Sequence, residues 1–142
     1  EWTLRLPRAP LKAPHGTDTI RTRTQGDSGH LHFLISGAAG FIGSHFCDRL
    51  LAEGHSLVGL DNFQTGSPAN VAHLAGHPSF ELINLDCTEP GFRGHPQLAG
   101  RFDGVLHLAS LASPRHYLAH PIKTLESGST GTQNLLEIAL RD

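Results

Sequence analysis

The stretch LISGAAGFIGSHFCDRLLAEGHSLVGLD, residues 34–61, decides the fold of this chain. Three glycines, Gly37, Gly40 and Gly43, follow a short apolar run at intervals of three and stand where a helical pattern begins. The next apolar run ends on the carboxylate of Asp61. A strand, a glycine-rich turn, a helix and a second strand in this order predict a β-α-β unit with parallel strands.

The spacing of the glycines predicts a turn that a phosphate group can approach. We expect Gly37 to turn the chain sharply, Gly40 to leave the backbone bare beside a pyrophosphate, and Gly43 to let the helix press against the sheet. The helix N-terminus then offers free N–H groups and a partial positive charge to an anion. The first gap of this G-x-x-G-x-x-G is wider than in the usual G-x-G-x-x-G, and turns or helix contacts also produce spaced glycines. The strand before, the helix after and the acid at the next strand end favour the phosphate interpretation.

Polar residues at the strand ends predict which dinucleotide is bound. Asp61 can accept hydrogen bonds from the ribose hydroxyls of an adenosine, and its charge repels a 2′-phosphate. Because no arginine stands beside it in the sequence, we expect NAD rather than NADP. Asp86 would face the adenine, while Leu108 and Ser110 would lie under the cofactor. The alternatives are solvated carboxylates at the strand ends and a core position for Leu108.

Apolar periodicity extends this pattern over most of the chain. We expect strands over residues 30–36, 56–61, 80–86 and 103–110, and helices over residues 41–53 and 121–140, with a loop and a short helix after residue 61. Ile42, Phe46 and Leu50 share one face of the first helix, and Gly54 is its expected stop. This order predicts an α/β fold, a Rossmann-type doubly wound parallel sheet of which residues 30–142 carry the first four strands.

Both ends of the chain suggest a fragment. Residues 1–29 carry prolines, threonines and scattered arginines without an apolar period. We therefore expect a flexible or non-native N-terminal segment, either a transit peptide or read-through upstream of the true start. The chain contains no methionine and stops within a helical pattern, so the dinucleotide domain is expected to be truncated. The fourth strand would then be an unpaired apolar edge that favours aggregation.

The composition excludes several kinds of partner. The 142 residues are 38% hydrophobic and carry a formal net charge of −2 without a cluster of lysines and arginines. We expect neither nucleic acid nor a membrane as a partner. Cys47 and Cys87 have no metal or redox spacing, so we expect no metal site, buried reduced thiols and a cytoplasmic location.

The sequence resembles the extended short-chain dehydrogenase/reductases of the NAD-dependent epimerase/dehydratase family, and within them the UDP-glucuronate decarboxylases, also called UDP-xylose synthases. The resemblance runs from about residue 31 to residue 142. It is carried by SGAAGFIGSHFCDRLLAEGH (36–55), GLDNFQTGS (59–67), FELINLDCTEP (80–90) and HLASLASPRHYLAHPIKTL (107–125). The run from residue 112 to residue 124 points to the decarboxylase branch.

The resemblance assigns residues to the expected site. Together with the glycine spacing it implies cofactor contacts by Gly37, Gly40, Phe41, Ile42, Gly43, Asp61, Asn62, Gln64, Thr65, Gly66, Asp86, Cys87, Leu108, Ser110 and Ser127. It implies that Asn134 contacts the nucleotide-sugar and that Tyr117, in a loop, borders the substrate cleft. Gly91 and Phe92 align with residues over the sugar.

The resemblance also implies a reaction. In such enzymes NAD⁺ oxidises C4 of UDP-glucuronate, the C6 carboxylate leaves as CO₂, and NADH returns its hydride to give UDP-xylose. The family's proton acceptor is the tyrosine of a Y-x-x-x-K pair, whereas the one tyrosine here, Tyr117, is followed four positions later by Pro121. Glu126 stands where a lysine near the substrate is common, and Gly128 stands where many members have asparagine.

We therefore expect no catalytic residue in this chain and no activity from it alone, with a homodimer formed at full length. The alternatives are another sugar-nucleotide 4,6-dehydratase or 4-epimerase, and a noncatalytic NAD-binding module.

Overall fold

Four parallel strands build the sheet of this protein. The computed structural model describes residues 29–141, so the expectation for the N-terminal segment falls outside the described residues except at residue 29. The strands are β1 (His32–Ser36), β2 (Ser56–Asp61), β3 (Phe80–Asn84) and β4 (Gly104–His107). Their order across the sheet is β3-β2-β1-β4, and each neighbouring pair is parallel. The chain therefore crosses from one side of β1 to the other between β3 and β4. The junction between β1 and β4 is thus a topological switch point.

Helices pack on both faces of the sheet, the first on one face and the last on the other. They are α1 (Phe41–Ala52), α2 (Pro114–Ala119), α3 (Pro121–Glu126) and α4 (Thr132–Ala139), and a π-helical turn, Ser127–Gly131, joins α3 to α4. One buried cluster packs Cys47 of α1 against Ile35 and Leu57. A second cluster, on the other face, packs Leu135 of α4 against Leu34. The predicted doubly wound α/β fold is confirmed.

The buried face of α1 is not the one that carries its largest apolar side chains. Gly43, Cys47 and Leu51 are buried, whereas Ile42 is 59% exposed and Phe46 is 42% exposed. Because Gly43 has no side chain, the axis of α1 can approach the sheet closely on that side. The helix face that contains Gly43 therefore packs against the sheet.

Several element ends differ from the sequence prediction. β3 ends at Asn84 rather than Asp86, because the Asp86 carboxylate accepts the backbone N–H of Thr88 and starts a turn. β4 covers only residues 104–107, and residues 114–119 form α2 where a loop was predicted. The helix predicted over residues 121–140 is interrupted by the π-helical turn. Gly54 follows the end of α1 with φ 86°, as predicted for its stop.

Within residues 29–141, β4 hydrogen-bonds to β1 alone and is an edge strand. Val105 and Leu106 pack with the two buried clusters from opposite faces of this strand. The predicted apolar edge is therefore present in the described part of the chain.

Candidate functional site

The glycine turn is shaped by close contacts that leave no room for side chains. Gly37 has φ 76°, and a Cβ there would lie 2.7 Å from the backbone nitrogen of Ala109. A Cβ on Gly43 would collide with the carbonyl group of Gly37. The backbone N–H of Gly37 donates to the Leu60 carbonyl at 2.7 Å. The turn is therefore fixed against β2 and against the segment that follows β4.

The N-terminus of α1 is open. Gly40 is its N-cap, no side chain caps the helix, and the first turn contains no acidic residue. The N–H groups of such a first turn lack partners within the helix and carry its partial positive charge. The side chain of Phe41 is 78% exposed. This end of the helix can therefore bind an anionic group through its backbone.

A buried carboxylate stands beside the turn. Asp61 is 7% exposed, its Oδ2 accepts the N–H of Ala39 at 2.9 Å, and its Oδ1 accepts the N–H of Phe63 at 2.8 Å. A Cβ on Gly66 would lie 2.7 Å from Oδ2. An ionised carboxylate has about four acceptor positions, so Asp61 retains acceptors for a ligand after it has fixed both loops.

Asp86 forms a second acidic position in the same cleft. Its carboxylate accepts hydrogen bonds from Asn62 Nδ2 at 2.9 Å and from the Thr88 backbone and hydroxyl at 2.9 and 2.7 Å. Burial raises the pKa of Asp86, but the bonds from Thr88 and Asn62 and the charge of Lys123 outweigh it, so the pKa is lowered. Asp86 is therefore held as an anion.

The neighbouring thiol is unreactive. Burial, with a smaller contribution from the charge of Asp86, raises the pKa of Cys87 to about 11. A thiol protonated at neutral pH is a poor nucleophile. Cys87 thus contributes a small apolar surface to the cleft and its carbonyl group to Asn134.

A single cleft at the carboxyl ends of the strands brings most of the predicted cofactor residues together. The predicted residues that line it are Gly37, Gly40, Asp61, Asn62, Gln64, Thr65, Gly66, Asp86, Cys87, Leu108, Ser110 and Ser127. Those that sequence reasoning missed are Ser36, Leu60, Leu85, Thr88, Ala109, Leu111 and Lys123. Most of the missed residues adjoin a predicted one at a strand end. Lys123 precedes Ser127 by one helical turn, a spacing that could have identified it.

Other predicted residues lie outside the cleft. The backbone of Phe41, Ile42 and Gly43 forms the first turn of α1 and faces an anion only through its N–H groups. Asn134 is 8% exposed, and its Nδ2 donates to the carbonyl oxygen of Cys87 at 2.7 Å. Tyr117 is 38% exposed and belongs to α2.

Phe92, which the resemblance aligns with residues over the sugar, has a side chain that is 2% exposed, packs in the core cluster with Leu98 and Leu135, and does not line the cleft. Gly91, before it, has φ 87°.

An open helix N-terminus beside a buried strand-end carboxylate, at the switch point of a parallel sheet, defines a dinucleotide-binding α/β protein. The model of the family described as "NAD dependent epimerase/dehydratase family" matches residues 33–142. The chain belongs to this family, and the predicted resemblance is confirmed. NAD is the cofactor for which the family is named, as the sequence predicts.

Relatives and solved structures agree with this assignment. The chain is 48% identical over 108 residues to UDP-glucuronic acid decarboxylase 1 of Danio rerio, and this match covers 76% of this chain and 24% of the relative. It is 44% identical over 113 residues to UDP-glucuronic acid decarboxylase 3 of Arabidopsis thaliana, and this match covers 79% of this chain and 31% of the relative. The Thermus thermophilus UDP-glucose 4-epimerase, crystallised in complex with NAD, has a TM-score of 0.64 and 31% identity, covering 76% of this chain and 33% of that one. The chain thus spans about a quarter to a third of the length of the proteins it matches.

Residues 29–141 contain neither a membrane-spanning helix nor a cluster of metal ligands. No helix there is long and apolar enough to cross a membrane. The same residues contain no group of three or more histidine, cysteine, aspartate or glutamate side chains placed to hold a metal ion.

Proposed function

We propose that this chain is the NAD-binding part of a sugar-nucleotide enzyme, and most specifically of a UDP-glucuronic acid decarboxylase that makes UDP-xylose. The observation that carries the proposal is the cleft in which the bare glycine turn, the open end of α1 and the buried Asp61 meet. The identity of 40–48% to UDP-glucuronic acid decarboxylases supports the choice of enzyme.

The residues of the cleft fit a dinucleotide. The first-turn N–H groups of α1 suit the pyrophosphate, and Asp61 suits the hydroxyls of the adenosine ribose. Asn62, Asp86, Leu108 and Ser127 line the same cleft, and we assign Asn62 and Asp86 to the adenine part of the ligand and Leu108 and Ser127 to its nicotinamide part. When bound, NAD supplies hydride acceptance and return. These residues bind and orient it, and Asp61 disfavours a 2′-phosphate.

The tyrosine that the family uses for proton transfer has no counterpart among the residues that line this cleft. Tyr117 lies on α2, outside the cleft, and Pro121 stands where a Y-x-x-x-K pair would need its lysine. Neither catalytic member of that pair occurs in the 142 residues. We therefore propose that these residues alone bind the cofactor without turning over a sugar nucleotide.

The proposal includes the setting of the whole protein. A UDP-sugar substrate suits the decarboxylase and epimerase relatives. A reducing compartment such as the cytoplasm suits the buried free thiols of Cys47 and Cys87. Three exposed apolar residues suit a homodimer that covers them: Leu125 of α3 at 68%, Leu136 of α4 at 57%, and Leu140 directly after α4 at 79%.

Calorimetric titration of the 142-residue chain tests the binding part of the proposal. NAD⁺ should bind, and NADP⁺ should bind at least about tenfold more weakly, because its 2′-phosphate would meet the Asp61 carboxylate. The absence of heat with NAD⁺, or equal affinities for the two dinucleotides, would contradict the proposed site.

The substrate is tested on the full-length protein. CO₂ release from UDP-glucuronate supports the decarboxylase, whereas interconversion of UDP-glucose and UDP-galactose without CO₂ identifies a 4-epimerase. Loss of water from a nucleotide-hexose identifies a 4,6-dehydratase. Cofactor binding with none of these reactions supports the noncatalytic module.

A further inference from the structure

The His107 side chain lies behind the cleft and bonds to two of its walls. Nδ1 is 2.6 Å from the hydroxyl oxygen of Ser36 on β1, and Nε2 is 3.1 Å from the carbonyl oxygen of Ser127. Ser36 and Ser127 both line the cleft, whereas His107 does not. The ring therefore connects two residues that line the site without lining it itself.

The partners of the ring determine its tautomer. A carbonyl oxygen can only accept, so Nε2 carries the proton that is donated to Ser127. In the neutral ring Nδ1 is then an acceptor, and the Ser36 hydroxyl donates to it. Ser36 is 1% exposed, and its hydroxyl hydrogen is directed away from the cleft. Each of the three groups thus has one defined role.

The element held by His107 is irregular. Ser127 begins the π-helical turn between α3 and α4, and its hydroxyl donates to the Ala109 carbonyl at 2.8 Å. At the other end of the turn, a Cβ on Gly131 would lie 2.8 Å from Cys87 Sγ and 3.6 Å from His107 Nε2. A π-helical turn is a poor hydrogen-bonded unit in isolation and is often found at functional sites, so these outside contacts fix its place.

From this geometry we infer that His107 is a positioning residue of the cofactor cleft, which sets the distance between β1 and the π-helical turn and thereby places Ser127 against the dinucleotide. The inference rests on the proposed binding of NAD in this cleft. Because His107 does not touch the ligand, its effect on affinity is exerted through Ser36 and Ser127.

The chain contains a matched control for this role. His32 on β1 makes the same kind of contact, from its Nδ1 to the hydroxyl of Ser56 on the adjacent strand at 2.8 Å. It stacks on Phe102 with ring centroids 4.9 Å apart, and it lies at the amino end of the sheet, away from the cleft. His32→Phe and His107→Phe each remove a histidine–serine side-chain hydrogen bond between neighbouring strands, at opposite ends of the sheet, and only His107→Phe also removes a bond to the π-helical turn.

The experiment measures NAD⁺ affinity by calorimetry and the melting temperature for the wild-type chain and its variants. His107→Phe should weaken NAD⁺ binding by about fivefold, the size of one lost hydrogen bond, whereas His32→Phe should lower the melting temperature and leave the affinity unchanged. His107→Gln, whose amide can donate to the Ser127 carbonyl, should recover affinity to within about twofold of the wild type.

The outcomes separate this role from general stabilisation. Equal NAD⁺ affinity in the wild type, His107→Phe and Ser36→Ala overturns the positioning role and leaves the proposed function intact. Equal losses of affinity in His107→Phe and His32→Phe also overturn it, since that pattern indicates loss of the folded state. Absence of NAD⁺ binding by the folded wild type overturns both proposals. If His107→Phe does not fold, the comparison of His107→Gln with Ser36→Ala decides, because only Ser36→Ala should then bind more weakly.

Discussion

Asp61 fixes the backbone around the site before any ligand binds. Its two oxygens accept the N–H groups of Ala39 in the glycine turn and of Phe63 in the loop after β2. Phe63 has φ 56°, a conformation that is rare for a bulky side chain, and the carboxylate stabilises it. The residue therefore contributes to stability, in addition to the ligand contact that we propose for it.

Asp61→Asn should reduce both properties. Asparagine offers one acceptor oxygen, and its NH₂ group would face a backbone N–H, which leaves a buried donor unpaired at a cost of about 1–3 kcal/mol. We expect lower stability in urea and a loss of NAD⁺ affinity of about tenfold or more. Asp48→Asn is the control, because Asp48 is a surface residue with a side chain 44% exposed. If Asp61→Asn unfolds at the same urea concentration as the wild type, Asp61 does not stabilise the two loops.

Asp86 makes stability depend on pH. Its pKa is lowered in the folded protein, whereas an unfolded aspartate has a pKa of about 3.9. The stabilisation is therefore fully present above about pH 4 and is lost as the pH falls through the lower folded pKa. Asp86→Asn should remove this acid-sensitive part, measured as the urea midpoint between about pH 2 and 6. Thr88→Val, which removes one donor to the carboxylate, should have a smaller effect in the same direction. If the urea midpoint depends on pH in the same way in the wild type and in Asp86→Asn, Asp86 is not the source of the acid sensitivity.

At the scale of elements, α1 depends on a glycine at one position in particular. A Cβ on Gly43 would overlap the carbonyl group of Gly37, so Gly43→Ala must separate the helix from the turn. We expect a loss of about 1–3 kcal/mol in the free energy of unfolding, the range for overpacked sites, together with weaker NAD⁺ binding. Gly128→Ala is the matched control on the π-helical turn, because a Cβ there meets nothing within 4 Å, and it should be neutral or slightly stabilising. Equal stability of the two variants would contradict the contact.

The sequence predicts those elements whose signals are local. The glycine turn, α1 and the strand ending at Asp61 follow from a pattern of neighbouring residues, and so does the position of Asp61 in the cleft. The buried face of α1 was missed because it is chosen by the close approach at Gly43, which periodicity does not register. The π-helical turn depends on contacts of Ser127 and Gly131 with β4 and Cys87, which lie far away in the sequence.

At the scale of the whole molecule, the proposed ligand contacts of the cleft are divided unevenly between the two halves of the dinucleotide. In the proposed binding mode, the glycine turn, the open end of α1, Asp61 and Asp86 contact the adenosine and pyrophosphate part of a dinucleotide. Leu108 and Ser127, which also line the cleft, are the residues proposed to contact the nicotinamide part. Most of the binding free energy that this chain supplies should therefore come from the ADP part of the ligand.

ADP-ribose should consequently stabilise the chain nearly as well as NAD⁺, while nicotinamide mononucleotide should have little effect. A ligand that binds only the folded state at about 100 times its Kd adds about 2.7 kcal/mol, which corresponds to a rise in melting temperature of about 10 °C or more for a domain of this size. Thermal unfolding with each ligand at the same concentration measures the difference, and Asp61→Asn should reduce the stabilisation by ADP-ribose to about half, the result of a tenfold loss of affinity. A larger shift with nicotinamide mononucleotide than with ADP-ribose would place the main binding residues at the other end of the cleft, because only that end could then distinguish the two halves of the cofactor.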